Sequence, residues 1–341
     1  MSIQSIPAVE PPISMTSQLL ARQRPTRHGM FVTFLPCIAI AIAFVVHRNL
    51  PNLQTSLPMA GRYPALLLAL LVLTLVGGIV ATFWPSMRLA YESKAPLITL
   101  VVVILCIWDL VTLKLGWLAL PYFPGPDMVL RGLVGQWSAL LHNASSSLML
   151  LSMGYAIGTL SGLFSGISMG WSSKVRYWGM PVLKFIGPIP ATALIPLAMA
   201  VFSNSFLSGA ALIGLAVWFP VTMLTASGIS NVRASYLDVA RTLGAGRLYL
   251  IFKVALPAAM PSIFIGLFMG LGAAFLTLIA AETVGVSAGL GYYVRWRQAY
   301  CEYDKVYAAL LVMAVFFSCV MTLLFKIRDH ILVWQKGVIK W

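Results

Sequence analysis

The chain has 341 residues, 60% of them apolar and only 9% charged, with a mean hydropathy of +0.90. A water-soluble domain carries about 25% charged residues, so this surface cannot be covered by charge and must be solvated by lipid. The net charge of +14 would point to nucleic acid in a soluble protein. Here the basic residues lie mostly between apolar blocks, where they set membrane orientation, and nucleic acid is disfavoured as a partner.

In chain order, residues 1–30 hold four prolines and Arg22, Arg24 and Arg27, and read as a cytoplasmic tail rather than a signal peptide. Apolar blocks of spanning length follow at 31–46, 64–83, 97–115, 144–167, 181–203, 207–227, 260–284 and 307–326. Each must be helical, because lipid offers no partner to an unpaired backbone group. The expectation is an all-α integral membrane protein of about eight transmembrane helices. Arg88, Lys94, Lys174, Arg176, the 233–253 basic run and Lys326, Arg328, Lys336 and Lys340 occupy one set of segments. They outnumber Arg48, Arg62, Lys114, Arg131, Arg295, Arg297 and Lys305 on the other, which puts both termini in the cytoplasm.

Within the fourth block Gly154, Gly158, Gly162, Gly166 and Gly170 recur every four residues, a smooth ridge for close helix packing. This ridge drifts around an ideal helix and is expected to meet more than one neighbour. Gly166, Ser168 and Gly170 mimic a hydrolase G-x-S-x-G turn, but that motif needs a strand-to-helix elbow and a base. The histidines, His28, His47, His142 and His330, fall outside the expected spans. Cys37, Cys106, Cys301 and Cys319 form no metal or disulfide pattern, so no metal site is expected. Pro188, Pro190 and Pro196 interrupt the fifth block, which suits either a packing kink or a helix broken beside a cavity. Lys184 can snorkel to the interface. Asp109 and Glu282 are acids at span ends, where a charge is costly and faces a bundle interior or a wet cavity. The segment Tyr292–Tyr300 mixes basic and aromatic side chains, suited to the headgroup interface or to a ligand or binding protein.

The cytoplasmic loop 228–258 carries the strongest pattern. It predicts two short helices separated at Gly244, Ala245 and Gly246, with Leu237, Ala240, Arg241 and Gly244 on one face of the first. Leu248, Ile251, Phe252 and Ala255 make the apolar face of the second, and Pro257 is expected to end the pattern before the next span. Asp238, Val239, Ala240, Gly244, Val254, Leu256 and Pro257 stand at the spacing of the Glu-Ala-Ala loop of binding-protein-dependent ABC importer permeases. The loop resembles that signature with Asp for Glu, Val for the first Ala and Val for Ile. Trp108 and Asp109, the stretch Leu120–Pro126, Gly187–Pro190 with Pro196, and Ala281 and Glu282 with Gly289–Tyr292 are similar to the nitrate/sulfonate/taurine-type members.

The resemblance implies a six-span type I permease core at 96–341, preceded by a tail and two extra spans at 1–95. It implies that Asp238 to Pro257 docks on a separate ATPase, and no G-x-x-x-x-G-K-[ST] phosphate loop occurs in this chain. The chain is then expected to be no enzyme and to bind no cofactor, with ATP and Mg on the partner. The other implied partners are a periplasmic solute-binding protein, a second permease copy in a homodimer, and the bilayer of the bacterial inner membrane. The solute would be a small anion such as nitrate, a sulfonate or taurine. Glu282, Pro188, Pro190, Gly289 and Gly291 are the candidates for the translocation pathway. The alternative is an ion- or proton-coupled secondary transporter using Glu282 and Asp109 as relay acids.

Overall fold

The computed structural model describes residues 27–53 and 61–333, and the described residues are helices and their connections. Residues 1–26 of the expected N-terminal tail, with Arg22 and Arg24, and the basic residues Lys336 and Lys340 lie outside them, while residues 27–30 of that tail are helical. The chain divides after Asp127 into two compact units.

The first unit holds α1 (Arg27–Asn49), α2 (Arg62–Phe83) and α3 (Pro85–Asp109), the last prolonged by a π-helical turn, Leu110–Lys114. By packing, α3 sits with α1 and α2. The resemblance instead begins the permease core at residue 96. Leucines and valines of α2 and α3 such as Leu68, Val72, Leu73, Leu97 and Val101 are exposed, as lipid-facing side chains must be. Polar side chains gather where α1 ends and α2 begins. His47 Nδ1 lies 2.9 Å from Asp109 Oδ2, both residues are buried, and the Tyr63 ring meets the imidazole edge-on at 4.9 Å. Lys114 Nζ donates to the carbonyl oxygens of His47 and Leu50, each at 2.6 Å, and so satisfies the end of α1. Asp127 Oδ1 accepts from the Tyr63 backbone N–H at the start of α2. His47 therefore lies inside a span, contrary to expectation, because α1 runs through Asn49 where the apolar block stops at Val46. His142 and His330 are likewise drawn into long helices, the ends of which extend past their apolar centres.

The second unit begins with the rest of α4 (Pro126–Gly135) and continues through α5 (Trp137–Trp171) and α6 (Ser173–Ile186). A 3-10 turn (Ala191–Leu194) leads into α7 (Ile195–Val201), and α8 (Ser205–Ser230) follows. The five glycines of α5 all face α8. A Cβ at Gly154, Gly162, Gly166 or Gly170 would meet Ile213, Val221, Thr225 or Ile229, and one at Gly158 would meet Gly214 and Val217. The ridge thus meets one neighbour, not several, because α8 presents its own row at the same four-residue spacing and the two rows follow each other. Both series ascend together, so α5 and α8 run parallel.

That parallel pairing decides the fifth span. Seven helices among the described residues are long and apolar enough to cross a membrane, while α6 and the 191–201 segment form a pair bent by 80°. Two parallel spans in succession need one return crossing between them, and the bent pair supplies it. The crossing starts at Ser173, earlier than the apolar block at 181, because polar Ser172 caps α6 at Val175 N and Arg176 donates to the carbonyls of Met169 and Gly170. Gly166, Ser168 and Gly170 lie within α5, with Ser168 Oγ bonded back to Phe164 O, so no nucleophile elbow forms.

Beyond α8 lie α9 (Ala234–Thr242), a long helix α10 (Arg247–Val284), α11 (Leu290–Ala299) and α12 (Tyr303–Ile331). Pro257 does not end a helix. It sits in the first turn after a π-helical stretch, Leu250–Ala255, and α10 continues through it. The wider π turn is where a helix absorbs the amide that proline lacks. The expected apolar face forms only in part: Ala255 is buried as expected and Leu250 joins it, while Leu248 and Phe252 are exposed.

Candidate functional site

Three places in the second unit carry the sequence candidates, and α10 joins them. The first is the loop. Asn231 and Val232 close α8, α9 follows, and Leu237 packs with Val232 and Leu256 against Ile229, Ala255 and Ala259. This inward contact leaves the other side free. Val239, Leu243 and Leu248 are exposed, Leu243 to 82%, beside exposed Arg241 and Arg247. Asp238 pairs with Arg241 of its own helix, at 2.8 Å, and both are open to water. Ala245 N bonds to Ala240 O and Gly244 takes φ +80°, a left-handed stop that favours glycine. A Cβ there would meet nothing within 4 Å, so Gly244 stands at an open tip. Apolar side chains on an exposed helix ringed by charge form a surface suited to another protein.

The second place is a cavity of about 370 Å³ beside the break after α6. Gly187, Pro190 and Thr192 from the broken span, Phe219 and Pro220 from α8, and Met269, Ala273 and Thr277 from α10 are among its walls. Pro190 therefore lines it, whereas exposed Pro188 stands in the turn and is not part of the lining. The break exists because two prolines within three residues cannot continue α6. Gly187 then lies against the Phe219 ring, where a side chain would clash.

The third place is where α10 ends. Glu282, about 7.5 Å further along α10 than Thr277, is buried and away from the cavity lining. Its Oε1 accepts from Ser147 Oγ at 2.6 Å and its Oε2 from the Gly291 N–H at 2.8 Å. Ser147 Oγ in turn accepts from Leu290 N at 2.9 Å, and Asn143 Oδ1 from Gly289 N at 3.0 Å. The start of α11 is thus held by side chains of α5 and α10. Gly289 has φ +126°, and a Cβ on it or on Gly291 would run into Glu282, so the carboxylate fills the space the two glycines leave. Sequence reasoning singled out Glu282, Gly289 and Gly291 but missed Asn143 and Ser147. Their signal was a polar pair one helical turn apart at the start of an apolar block.

Residues 154–332 match the family described as binding-protein-dependent transport system inner membrane component. The chain belongs to this family. The permease is 32% identical over 239 residues to the taurine transport system permease protein TauC of Escherichia coli strain K12, covering 68% of this chain and 85% of that one. It is also 32% identical over 221 residues to the putative aliphatic sulfonates transport permease protein SsuC of Bacillus subtilis strain 168, covering 62% and 78%. A probable ABC transporter permease protein of Haemophilus influenzae matches at 32% over 217 residues, covering 64% and 88%. Among solved structures, a chain from inward-facing conformations of the MetNI methionine ABC transporter overlays with a TM-score of 0.47 at 16% identity, over 58% of this chain and 98% of that one. This permease is accordingly a multi-pass membrane transport subunit of an ABC importer, and not itself catalytic.

Proposed function

We infer that the permease provides the translocation pathway for a small anion such as nitrate, a sulfonate or taurine, and works as one of two copies in a homodimer. Two ATPase subunits carrying ATP and Mg sit against the 228–258 loop, and a periplasmic binding protein delivers the solute to the opposite face. Both termini lie on the cytoplasmic side of the bacterial inner membrane, as the basic segments favour. Asp238, Val239, Ala240, Gly244, Val254, Leu256 and Pro257 form the coupling element. Pro188 and Pro190 mark the broken span beside the pathway, with Glu282, Gly289 and Gly291 at its outer end.

One observation carries the reading: α10 is a single helix that starts at the exposed loop and ends beyond the cavity wall. A displacement of the loop by an ATPase would reach the cavity through about 33 Å of helix, from Arg247 to Met269. Relatives named for taurine and aliphatic sulfonate transport support an anion as solute. The relay alternative would require Glu282, 1% exposed and bonded to Ser147 and Gly291, to exchange protons with water.

The test uses Gly244→Trp and Leu243→Asp in the complete transporter. Both variants should insert in the membrane and dimerise, yet lose ATPase copurification and ATP-driven taurine uptake. Full copurification and uptake in both would refute the docking assignment, and uptake by the permease alone would favour a secondary transporter.

A further inference from the structure

Glu282 is a carboxylate enclosed at the end of a membrane span, 1% exposed. Apolar packing alone would join α5, α10 and α11 at lower cost, because an enclosed charge must be compensated at each oxygen. What the charge adds is directionality. Ser147 Oγ–H and Gly291 N–H each address one oxygen, and Ser147 and Asn143 use their remaining acceptors on Leu290 N and Gly289 N. Successive backbone N–H groups of one short segment are thereby claimed by two different helices.

Both of those helices also pack on α8. α5 is seamed to α8 along its glycine row, where a backbone-to-backbone fit leaves little freedom. α10 also packs on α8, at Gly266 and Gly270, but its end at the loop carries the Leu250–Ala255 π stretch together with Pro257 and Pro261, and it forms one wall of the cavity. Interrupted hydrogen bonding at such positions is where helices bend. The clamp therefore ties α5 to the end of the helix that starts at the loop and forms a cavity wall, with α11 between them.

The geometry points to Asn143, Ser147 and Glu282 as positioning residues of an outer gate: they lock α11 against α5 in this state, and the transport cycle requires that lock to release. The inference rests on the importer reading above and deepens it. Asn143 and Ser147 lie outside the family match at 154–332, so the lock joins a segment before the matched region to one within it.

The experiment uses Ser147→Ala, Asn143→Ala and Glu282→Ala, with Ser147→Thr as the conservative variant, in two measurements. Hydrogen exchange over residues 286–299 is read on the purified permease dimer, which needs no ATPase. ATP hydrolysis with and without binding protein and taurine is read on the complete transporter in liposomes. A gate lock predicts faster exchange confined to that segment. It also predicts a severalfold rise in hydrolysis without binding protein, a fall in the stimulated-to-basal ratio, and wild-type behaviour for Ser147→Thr. Faster exchange with an unchanged ratio overturns the proposal and leaves a merely structural clip, as does unchanged exchange. Should Glu282→Ala fail to assemble, the two α5 variants decide, since each removes a single side-chain partner. A wild-type transporter that moves taurine, nitrate and methanesulfonate with no dependence on ATP refutes the importer reading, and the gate falls with it while the exchange result stands.

Discussion

Gly158 lies so close to Gly214 that a Cβ on Gly158 would strike the Gly214 carbonyl. The contact is backbone against backbone, and neither helix can retreat without opening the seam above and below it. Gly158→Ala should therefore destabilise the permease by about 1–3 kcal/mol, the usual cost of forcing volume into a packed interface. Gly135→Ala, where a Cβ meets nothing within 4 Å, is the control. Thermal unfolding in detergent, followed by tryptophan fluorescence, separates them; equal midpoints would remove the seam from the list of determinants.

His47 and Asp109 make a second testable contact, this time in the first unit. Removing one member of a buried hydrogen-bonded pair leaves the other with its desolvation uncompensated, at a cost of about 1–3 kcal/mol. Asp109 keeps the Lys114 charge nearby, so His47→Ala should fall at the lower end of that range. The double variant His47→Leu/Asp109→Leu should cost less than the sum of the two single leucine variants. Thermal midpoints in detergent, read across that mutant cycle, check it. Strict additivity would mean that the two side chains do not act as a pair.

How much of this was open to sequence depends on the kind of force involved. The spans are written in long-range apolarity, so seven helices and the region of the eighth crossing were legible. Gly244 was legible because a left-handed helix stop selects glycine locally. The His47–Asp109 contact was not, since 62 residues separate the partners and neither side chain signals the other. Nor was the single partner of the glycine ridge. An ideal 3.6-residue helix lets a four-residue row drift, and only the matching row on α8 shows that both helices follow the drift together. At the clamp, Glu282 announced itself as an acid in an apolar setting, whereas Ser147 is one serine among several in its block. The exposed face of Leu248 and Phe252 escaped because a π stretch shifts register without any residue that requires it.

Glu302 gives a pH dependence outside the membrane. The hydrogen bond from Lys305, followed by that from Arg297, holds its carboxyl below the ordinary value of 4.5. A group depressed in the folded state stabilises it fully above the ordinary value and loses that contribution as the pH falls through the lower one. The α11–α12 turn should therefore loosen below about pH 4.5. Wild-type midpoints should drop more steeply between pH 5 and pH 3 than those of Glu302→Gln. Parallel profiles would show that Lys305 and Arg297 add nothing measurable at this partly exposed site.

The cavity beside the broken span gives the most direct test of where solute passes. Ala273 lines it from α10, together with Pro190 and Phe219. A cavity of about 370 Å³ has room for a small sulfonate, but much less once an indole occupies it. Ala273→Trp should then abolish taurine uptake while leaving the amount of assembled transporter close to normal, because the added ring enters existing space rather than a packed seam. Gly272→Ala, whose Cβ meets nothing within 4 Å, should transport as wild type. Reading ATP hydrolysis in the same liposomes distinguishes a blocked route from a broken machine. A blocked route keeps hydrolysis responsive to binding protein while solute stays outside. Normal uptake through Ala273→Trp would place the pathway elsewhere in the bundle and return this cavity to a packing defect at a proline break.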